Sequence, residues 1–402
     1  MSDIKVKGKI RDLVKFARLI PRRNAWINSG KPFVDGYDPL IDFMREFHPG
    51  IFEAVISDTK VETPTTKTFR LKAAEGYKLP FFYAGQYISV KFEIDGRTFT
   101  RPYAISSAPV RGDKDVYIDI TIKKKDGGYA SKYIFNNWEK GTVIRCDGAF
   151  GEMWYNGIRD QKHVVALAGG SGITPFRAIA QDMLFGSGRP EKLTIIYGSC
   201  NQSDIIFKEE LEALAEASKG RIQVFNVLSE PLPGWDDECG FITAELIKKI
   251  LGDTDGKSFY LCGPQAMYAF VNKSLDELGI IQRFRRHEAY GESDDITRHP
   301  EYPKDKAGKT FKLMLRYGIT DVELKCSAED TLLVALEKAG YAVDSHCRSG
   351  ECGWCRSLLE KGEIWYRPEG LGVRESDIDD GYIHVCSAYP MSDIVLRVQN
   401  QL

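Results

Sequence analysis

A chain of 402 residues, 43% hydrophobic and 28% charged, is long enough for two or three separate cores and has the composition of folded, not fibrous or disordered, protein. A formal net charge of -2 offers no broad cationic face and sets nucleic acid aside as a partner. No run approaches the ~18 apolar residues of a membrane span, and the polar start Met1-Ser2-Asp3-Ile4-Lys5 lacks the apolar stretch of a signal peptide. Nine cysteines, most of them scattered, favour a reducing compartment, so the expected location is cytoplasmic.

Residues 1–50 are expected to form a basic extension. Within residues 1–31, nine Lys and Arg face Asp3 and Asp12 alone, which gives +7 there and leaves -9 for the remainder. Ile10, Leu13, Val14, Ala17, Leu19 and Ile20 recur at nearly helical spacing, with Pro21 as the expected stop. Such a basic amphipathic helix has three uses open to it: docking on an acidic partner, peripheral contact with a membrane surface, or packing on its own acidic body.

Residues 51–157 change texture to short β-type runs at 52–56, 66–71, 87–94, 116–121 and 143–146. Turns such as Asp95-Gly96 and Asp126-Gly127-Gly128 separate them, and the pattern predicts an antiparallel β-barrel. In Arg101-Pro102-Tyr103-Ala104-Ile105-Ser106-Ser107, a cation and a phenol two residues apart share one face of an extended segment. Arg101 then reaches a phosphate while Tyr103 lies along a flat ring, which suits a flavin nucleotide. Gly127-Gly128-Tyr129-Ala130-Ser131 precedes a helical run at 132–138, and small residues at a helix start expose N–H groups to an anion, a candidate pyrophosphate cradle.

Residues 158–291 read as a parallel α/β domain. The apolar strand 163–168 enters Gly169-Gly170-Ser171-Gly172-Ile173-Thr174-Pro175 and a helix at 176–184, a strand, phosphate loop and helix in which Pro175 fits the first turn. Strands at 193–197, 222–228 and 259–262 alternate with helices at 207–218, 243–251 and 264–278, and ligands are expected at the carboxyl ends of such strands. Those ends carry Gly169 to Thr174, Tyr197-Gly198-Ser199 and Cys262-Gly263-Pro264-Gln265-Ala266-Met267.

Polar residues 292–308, with Pro300 and Pro303, are expected to be a linker. Residues 309–402 then show strands at 311–317 and 322–325 and a helix at 331–339, with Leu332, Leu333, Leu336 and Ala339 as its packing stripe. Cys347, Cys352 and Cys355 form C-x4-C-x2-C, with Cys386 further on. Four thiolates at this spacing suit a two-iron, two-sulfur cluster. A zinc site fits less well, because the paired C-x2-C does not occur twice.

The cysteine run, with Cys386-Ser387-Ala388-Tyr389-Pro390, resembles a plant-type ferredoxin, which implies a β-grasp fold and Cys347, Cys352, Cys355 and Cys386 as cluster ligands. Arg101-Pro102-Tyr103-Ala104 and Gly128-Tyr129-Ala130-Ser131, with Gly85-Gln86-Tyr87 before them, resemble the R-x-Y-[ST] and G-x-x-S patterns of the ferredoxin-NADP reductase superfamily. The superfamily has FAD and FMN members, and Gly128 to Ser131 resembles the cradle of the FAD-binding branch, which favours FAD held along Arg101 to Ser106 and Gly127 to Ser131. Ala104 departs from the pattern, since it lacks the hydroxyl the family often places near the flavin. Gly170, Ser171, Gly172, Ile173, Thr174, Pro175, Tyr197, Gly198, Ser199, Cys262, Gly263, Pro264 and Met267 resemble the pyridine nucleotide motifs of the same superfamily. Cys262 would there help to place the nicotinamide without acting as a nucleophile. Glu288-Ala289-Tyr290-Gly291 resembles the acidic and aromatic pair that closes the reductase, so Tyr290 joins Tyr103 and Cys262 as the implied catalytic set.

Residues 200–207 offer no Arg and include Asp204, which repels a 2′-phosphate and favours NADH. Lys208 and Arg221 keep NADPH as the alternative. The resemblance covers about residues 51–402 and implies a multidomain α+β and α/β reductase. It would pass electrons from NADH through FAD and a 2Fe-2S cluster, one at a time, to a terminal acceptor protein such as an oxygenase, demethylase or other metalloenzyme. The alternative is an electron-relay subunit docked in a larger redox complex through its N-terminal segment.

Overall fold

The computed structural model describes residues 50–109, 116–184, 189–288, 295–318, 320–367 and 373–398, together with Ala17, Ile20, Pro21 and Asn24. Most of the expected basic helix, and Tyr290, lie outside the described residues. Ala17, Ile20, Pro21 and Asn24 are each helical, so Pro21 is itself helical where the sequence implies a stop. The chain divides into two compact units, Met1–Phe47 and His48–Leu402.

The first domain of the larger unit is a six-stranded antiparallel sheet of β1 Ile51–Thr63, β2 Thr66–Ala73, β3 Tyr87–Ile94, β4 Arg97–Ala104, β5 Ile118–Lys123 and β6 Val143–Phe150, in the order β4-β3-β6-β1-β2-β5. An antiparallel bridge between Ile105 and Ile120 joins the two edges and closes the barrel. Alternate residues point inward, so Phe52, Ile56, Phe69, Ile88, Val90 and Ile144 fill one core. Asp95 and Gly96 take φ of 51° and 71°, the left-handed pair of a type I′ hairpin turn. That turn fixes the β3–β4 register, with Val90 opposite Arg101 and Ile88 opposite Tyr103. The motif expected in an extended segment therefore belongs to a full strand, β4, which sequence reading did not separate.

The second domain is wholly parallel: β7 His163–Gly169, β8 Lys192–Ser199, β9 Ile222–Leu228, β10 Glu238–Cys239, β11 Lys257–Cys262 and β12 Arg285–His287, in the order β10-β9-β8-β7-β11-β12. Val164, Ala166 and Ala168 of β7 pack on one face, and Val165 and Leu167 on the other, which explains its unbroken apolar run. The strand order reverses between β7 and β11, so a ligand crevice opens where these two strands end.

The third domain has a sheet of β13 Thr310–Tyr317, β14 Thr320–Ser327, β15 Arg356–Lys361, β17 Tyr382–His384 and β19 Ile394–Val398, in the order β14-β13-β19-β15-β17, and a small pair of β16 Ile364–Tyr366 and β18 Ala388–Pro390. Thr331 caps the helix Leu332–Lys338 by accepting from the Val334 amide. Leu332, Leu333 and Leu336 are buried as expected, but Ala335 completes the stripe and Ala339 is exposed beyond the last turn. Residues 295–308 are more than a bare tether. Ile296 and Tyr302 pack with Tyr389 and Met391, and the Tyr302 hydroxyl donates to the Ala328 carbonyl at 3.1 Å.

Candidate active site

On β4, exposure alternates: Pro102 and Ala104 are buried, while Arg101 and Tyr103 are half-buried on the same face. Burial raises the Tyr103 phenol well above its ordinary pKa, so the ring stays neutral and available for stacking on a flat heterocycle. Arg101 donates to the Thr100 carbonyl at 2.8 Å and pairs with Glu337 of the third domain at 3.1 Å. The guanidinium expected on a phosphate is therefore also a contact between domains. Ile105 lies in the barrel core. The Ser106 hydroxyl is within bonding distance of the Asp119 carbonyl and of Thr121 Oγ1, which gives its side chain a barrel-closing task.

The helix Tyr129–Asn137 starts at Gly128 with no side-chain cap and no acidic residue in its first turn, and a helix start of this kind suits an anion. A Cβ on Gly128 would meet Ser131 Oγ at 2.6 Å, and Ser131 Oγ accepts from the Lys125 amide at 3.1 Å. This close-wound cradle, with the cation and ring of β4, fits a flavin nucleotide. Ala130 is buried against the barrel, and Tyr129 is exposed with its hydroxyl donating to Asp95 at 2.8 Å.

The loop after β7 is pressed against the loop after β11. A Cβ on Gly172 would lie 2.1 Å from the Cys262 carbonyl oxygen, and one on Gly169 would lie 2.5 Å from Met267 Sδ. Glycine is required here for close approach. Ser171 and Gly170 turn into Ile173 and Thr174, whose hydroxyl donates to the Ser171 carbonyl at 2.9 Å, and Pro175 occupies the first helical turn. Tyr197 is fully buried and its hydroxyl donates to the Gly170 carbonyl at 3.0 Å, so it braces the loop from behind, while Gly198 and Ser199 end β8. Burial pushes the Cys262 thiol far above its usual pKa, which keeps it protonated and unreactive. Gly263 and Pro264 carry the chain over Gly169 into the helix Gln265–Glu277. Gly151 lies where a Cβ would meet Glu288 Oε1 at 2.1 Å, which brings this buried carboxylate to the barrel.

Cys347, Cys355 and Cys386 are buried and Cys352 is half-buried. None of the nine cysteines is disulfide-bonded. The amides of Ser349 and Cys352 both donate to Cys347 Sγ at 3.4 Å. The thiol of Cys352, then that of Cys386, lowers the pKa of Cys347 by hydrogen bonding, and Cys355 contacts Cys386 in turn. Four sulfurs thus converge, with amides aimed at one of them, a donor set that fits an iron–sulfur cluster. His384 holds the loop in place through the Gly350 carbonyl at 2.5 Å and Asp377 at 3.0 Å. Phe150 of the barrel lies 4.4 Å from the His346 ring, and His346 lies 4.3 Å from Trp354, so aromatic groups fill the space between barrel and cysteine loop.

Sequence reading missed Arg177, Asp119, Glu337, Arg348 and the location of Glu288 beside Gly151. Arg177 carries the one signal that was available, a cation on the helix that follows the phosphate loop.

A barrel with a flavin cradle, a parallel sheet with a nucleotide crevice and a four-thiol loop define a flavin- and nicotinamide-dependent oxidoreductase with an iron–sulfur centre. Family models agree in the same order: an oxidoreductase FAD-binding domain over residues 53–155, an oxidoreductase NAD-binding domain over 166–273 and a 2Fe-2S iron-sulfur cluster binding domain over 318–391. The stachydrine N-demethylase reductase subunit of Rhizobium meliloti is 28% identical over 337 residues, covering 82% of this chain and 92% of the relative. The glycine betaine monooxygenase reductase subunit of Pseudomonas aeruginosa is 27% identical over 356 residues, covering 83% and 92%. NADH-cytochrome b5 reductase 1 of Aspergillus terreus is 32% identical over 202 residues, covering 48% of this chain and 67% of the relative. Among solved structures, phthalate dioxygenase reductase shares the fold, with a TM-score of 0.63 at 21% identity over 87% of this chain and 98% of that one.

The chain belongs to the ferredoxin-NADP reductase superfamily and carries a plant-type 2Fe-2S ferredoxin domain after its reductase domains. It is an NADH-dependent FAD and iron–sulfur reductase that delivers electrons to a partner redox protein. Among the described residues no helix is long and apolar enough to cross a membrane.

Proposed function

We propose that the chain is the reductase component of a multicomponent oxygenase or N-demethylase, with the terminal metalloenzyme as its acceptor. The convergence of four sulfurs beside the flavin barrel supports this reading most, and the two relatives named as reductase subunits share nearly the whole length. The working units are residues 51–157 for FAD, 158–291 for NADH, 292–308 as connector and 309–402 for the cluster, with 1–50 as an extension. FAD held along Arg101 to Ser106 and Gly127 to Ser131, and a 2Fe-2S cluster held by Cys347, Cys352, Cys355 and Cys386, would together supply the conversion from two-electron to one-electron chemistry.

The protein's own residues bind and orient. Tyr103 offers a neutral ring to one face of the flavin, and Gly127 to Ser131 present helix N–H groups to its pyrophosphate. Arg101 adds a cation that it shares with Glu337. Gly170 to Pro175 and Gly263 to Met267 form the two walls that receive the nicotinamide nucleotide, and Cys262 fills the floor as an uncharged thiol. Tyr290 is assigned the cover of the flavin from the sequence motif. Cys347, Cys352, Cys355 and Cys386 hold the irons. The +7 segment at residues 1–31 is assigned to docking on the acceptor, in a cytoplasmic setting consistent with nine unbridged cysteines.

Purified holoprotein should reduce ferricyanide and cytochrome c with NADH, at a kcat/KM above that for NADPH. Deleting residues 1–31 should leave those rates unchanged and weaken only transfer to the physiological acceptor. Protein with full flavin and iron content but no NADH-driven reduction would instead be a relay subunit fed by another protein.

A further inference from the structure

The ferredoxin domain meets the barrel at the β3–β4 hairpin, whose register sets Ser89 opposite Pro102 and Val90 opposite Arg101. Glu337, in the last turn of the helix Leu332–Lys338, accepts from Arg101 Nη1 at 3.1 Å and from Arg348 Nη1 and Nη2 at 2.6 and 3.0 Å. Both arginines also donate to the Thr100 carbonyl, at 2.8 and 3.3 Å. Glu337 is 5% exposed and Arg348 1%. An acid in the last turn of a helix opposes the helix dipole, so helix stability does not account for Glu337. A buried carboxylate is favourable only when its charge is met from close range, and here half of that charge is met by the neighbouring domain.

We propose that Glu337 is a positioning residue for electron transfer. Its carboxylate joins Arg101 of the flavin strand to Arg348 of the cluster loop and thereby sets the separation of the two redox groups. Arg348 follows Cys347 directly, so a shift of Glu337 moves the cysteine loop relative to β4. The role rests on the reading of the chain as a flavin-to-cluster reductase and adds to it the residue that keeps the domains in register.

The test uses full-length holoprotein, native and Glu337→Gln, mixed with NADH in a stopped-flow instrument, with flavin bleaching and cluster reduction followed separately. The expected result is flavin reduction within about twofold of native and cluster reduction slower by about tenfold or more, because small misplacements of reacting groups carry large rate penalties. Hydrogen exchange should also rise in helix Leu332–Lys338 and β4, while the dithionite-reduced cluster keeps its native electron paramagnetic resonance spectrum. Glu337→Asp keeps the charge but shortens its reach, so its cluster reduction should fall between the two. Native cluster reduction in Glu337→Gln overturns the role. Should Glu337→Gln fail to hold both cofactors, Glu337→Asp decides alone: a slowing of cluster reduction by about threefold with native flavin reduction supports the role, and native rates for both steps overturn it. Native protein that shows no flavin reduction with NADH removes the functional reading itself, an outcome distinct from native-like transfer in the variant.

Discussion

The barrel meets its two neighbours in different ways. On the nucleotide side, Gly151 of the barrel lies where a Cβ would meet Glu288 Oε1 at 2.1 Å, Arg177 crosses over to the Ser106 carbonyl at 2.9 Å while holding Glu210 at 2.8 Å, and Lys123 pairs with Asp204 at 3.1 Å. On the ferredoxin side, Arg101 and Lys91 of the barrel pair with Glu337 and Asp344, Arg348 donates back to the Thr100 carbonyl, and Phe150 packs on His346. The first junction brings a buried carboxylate onto barrel backbone at Gly151, and the second rests on long side chains that reach across from either domain. The difference matches the demands of the two steps. Hydride transfer needs reacting atoms in contact, whereas an electron crosses a gap between groups that never touch.

The largest expected effect is that of Gly172→Ala, inside the nucleotide domain, whose added methyl would lie 2.1 Å from the Cys262 carbonyl oxygen. NADH-driven flavin bleaching should fall by about 100-fold, while dithionite still reduces the cluster. Cys352→Ser should do the reverse, removing iron–sulfur absorbance and cytochrome c reduction while flavin bleaching by NADH persists. Arg177→Met removes the cation that bonds the Ser106 carbonyl and Glu210, while Asp119 keeps Arg70 at 2.8 Å, and urea denaturation should show a loss of about 2 kcal/mol. A pH scan adds a smaller effect at the far end of β7 from the phosphate loop, where burial lowers the His163 pKa from 6.5 to about 4. The unfolded chain then binds more protons inside that window, so stability is full above pH 6.5 and falls as pH drops toward 4. With His163 half exposed and screened by water, the loss is about 1 kcal/mol. Smallest of all, Lys91→Ala removes a pair with Asp344 at 3.5 Å in which Asp344 is 39% exposed, worth about 0.5 kcal/mol and fading with salt.

Much of the architecture was legible because it is local. The apolar run at 163–168 announced a strand buried on both faces; the glycines after it read as a phosphate loop, and the structure adds that Gly172 also lies against the Cys262 carbonyl. The cysteine spacing gave a complete set of four sulfurs. Other features were hidden because they depend on contacts distant in sequence. Nothing around Glu337 marks it as the partner of Arg101, which is 236 residues away. Tyr197 reads as a ligand contact from its place at a strand end, yet its full burial makes it a brace for Gly170. Ile296 and Tyr302 look like linker residues amid prolines, and only the packed fold reveals Tyr389 and Met391 as their neighbours.

Arg348 holds its backbone at φ 57°, a left-handed conformation that a glycine would adopt without strain. Glycine there would relax the turn but cast off the long side chain that moors the loop to the rest of the molecule. Comfort of the local chain and attachment to a distant neighbour are therefore opposed at a single position, and evolution toward a looser, more mobile iron-bearing head has a one-residue route open to it.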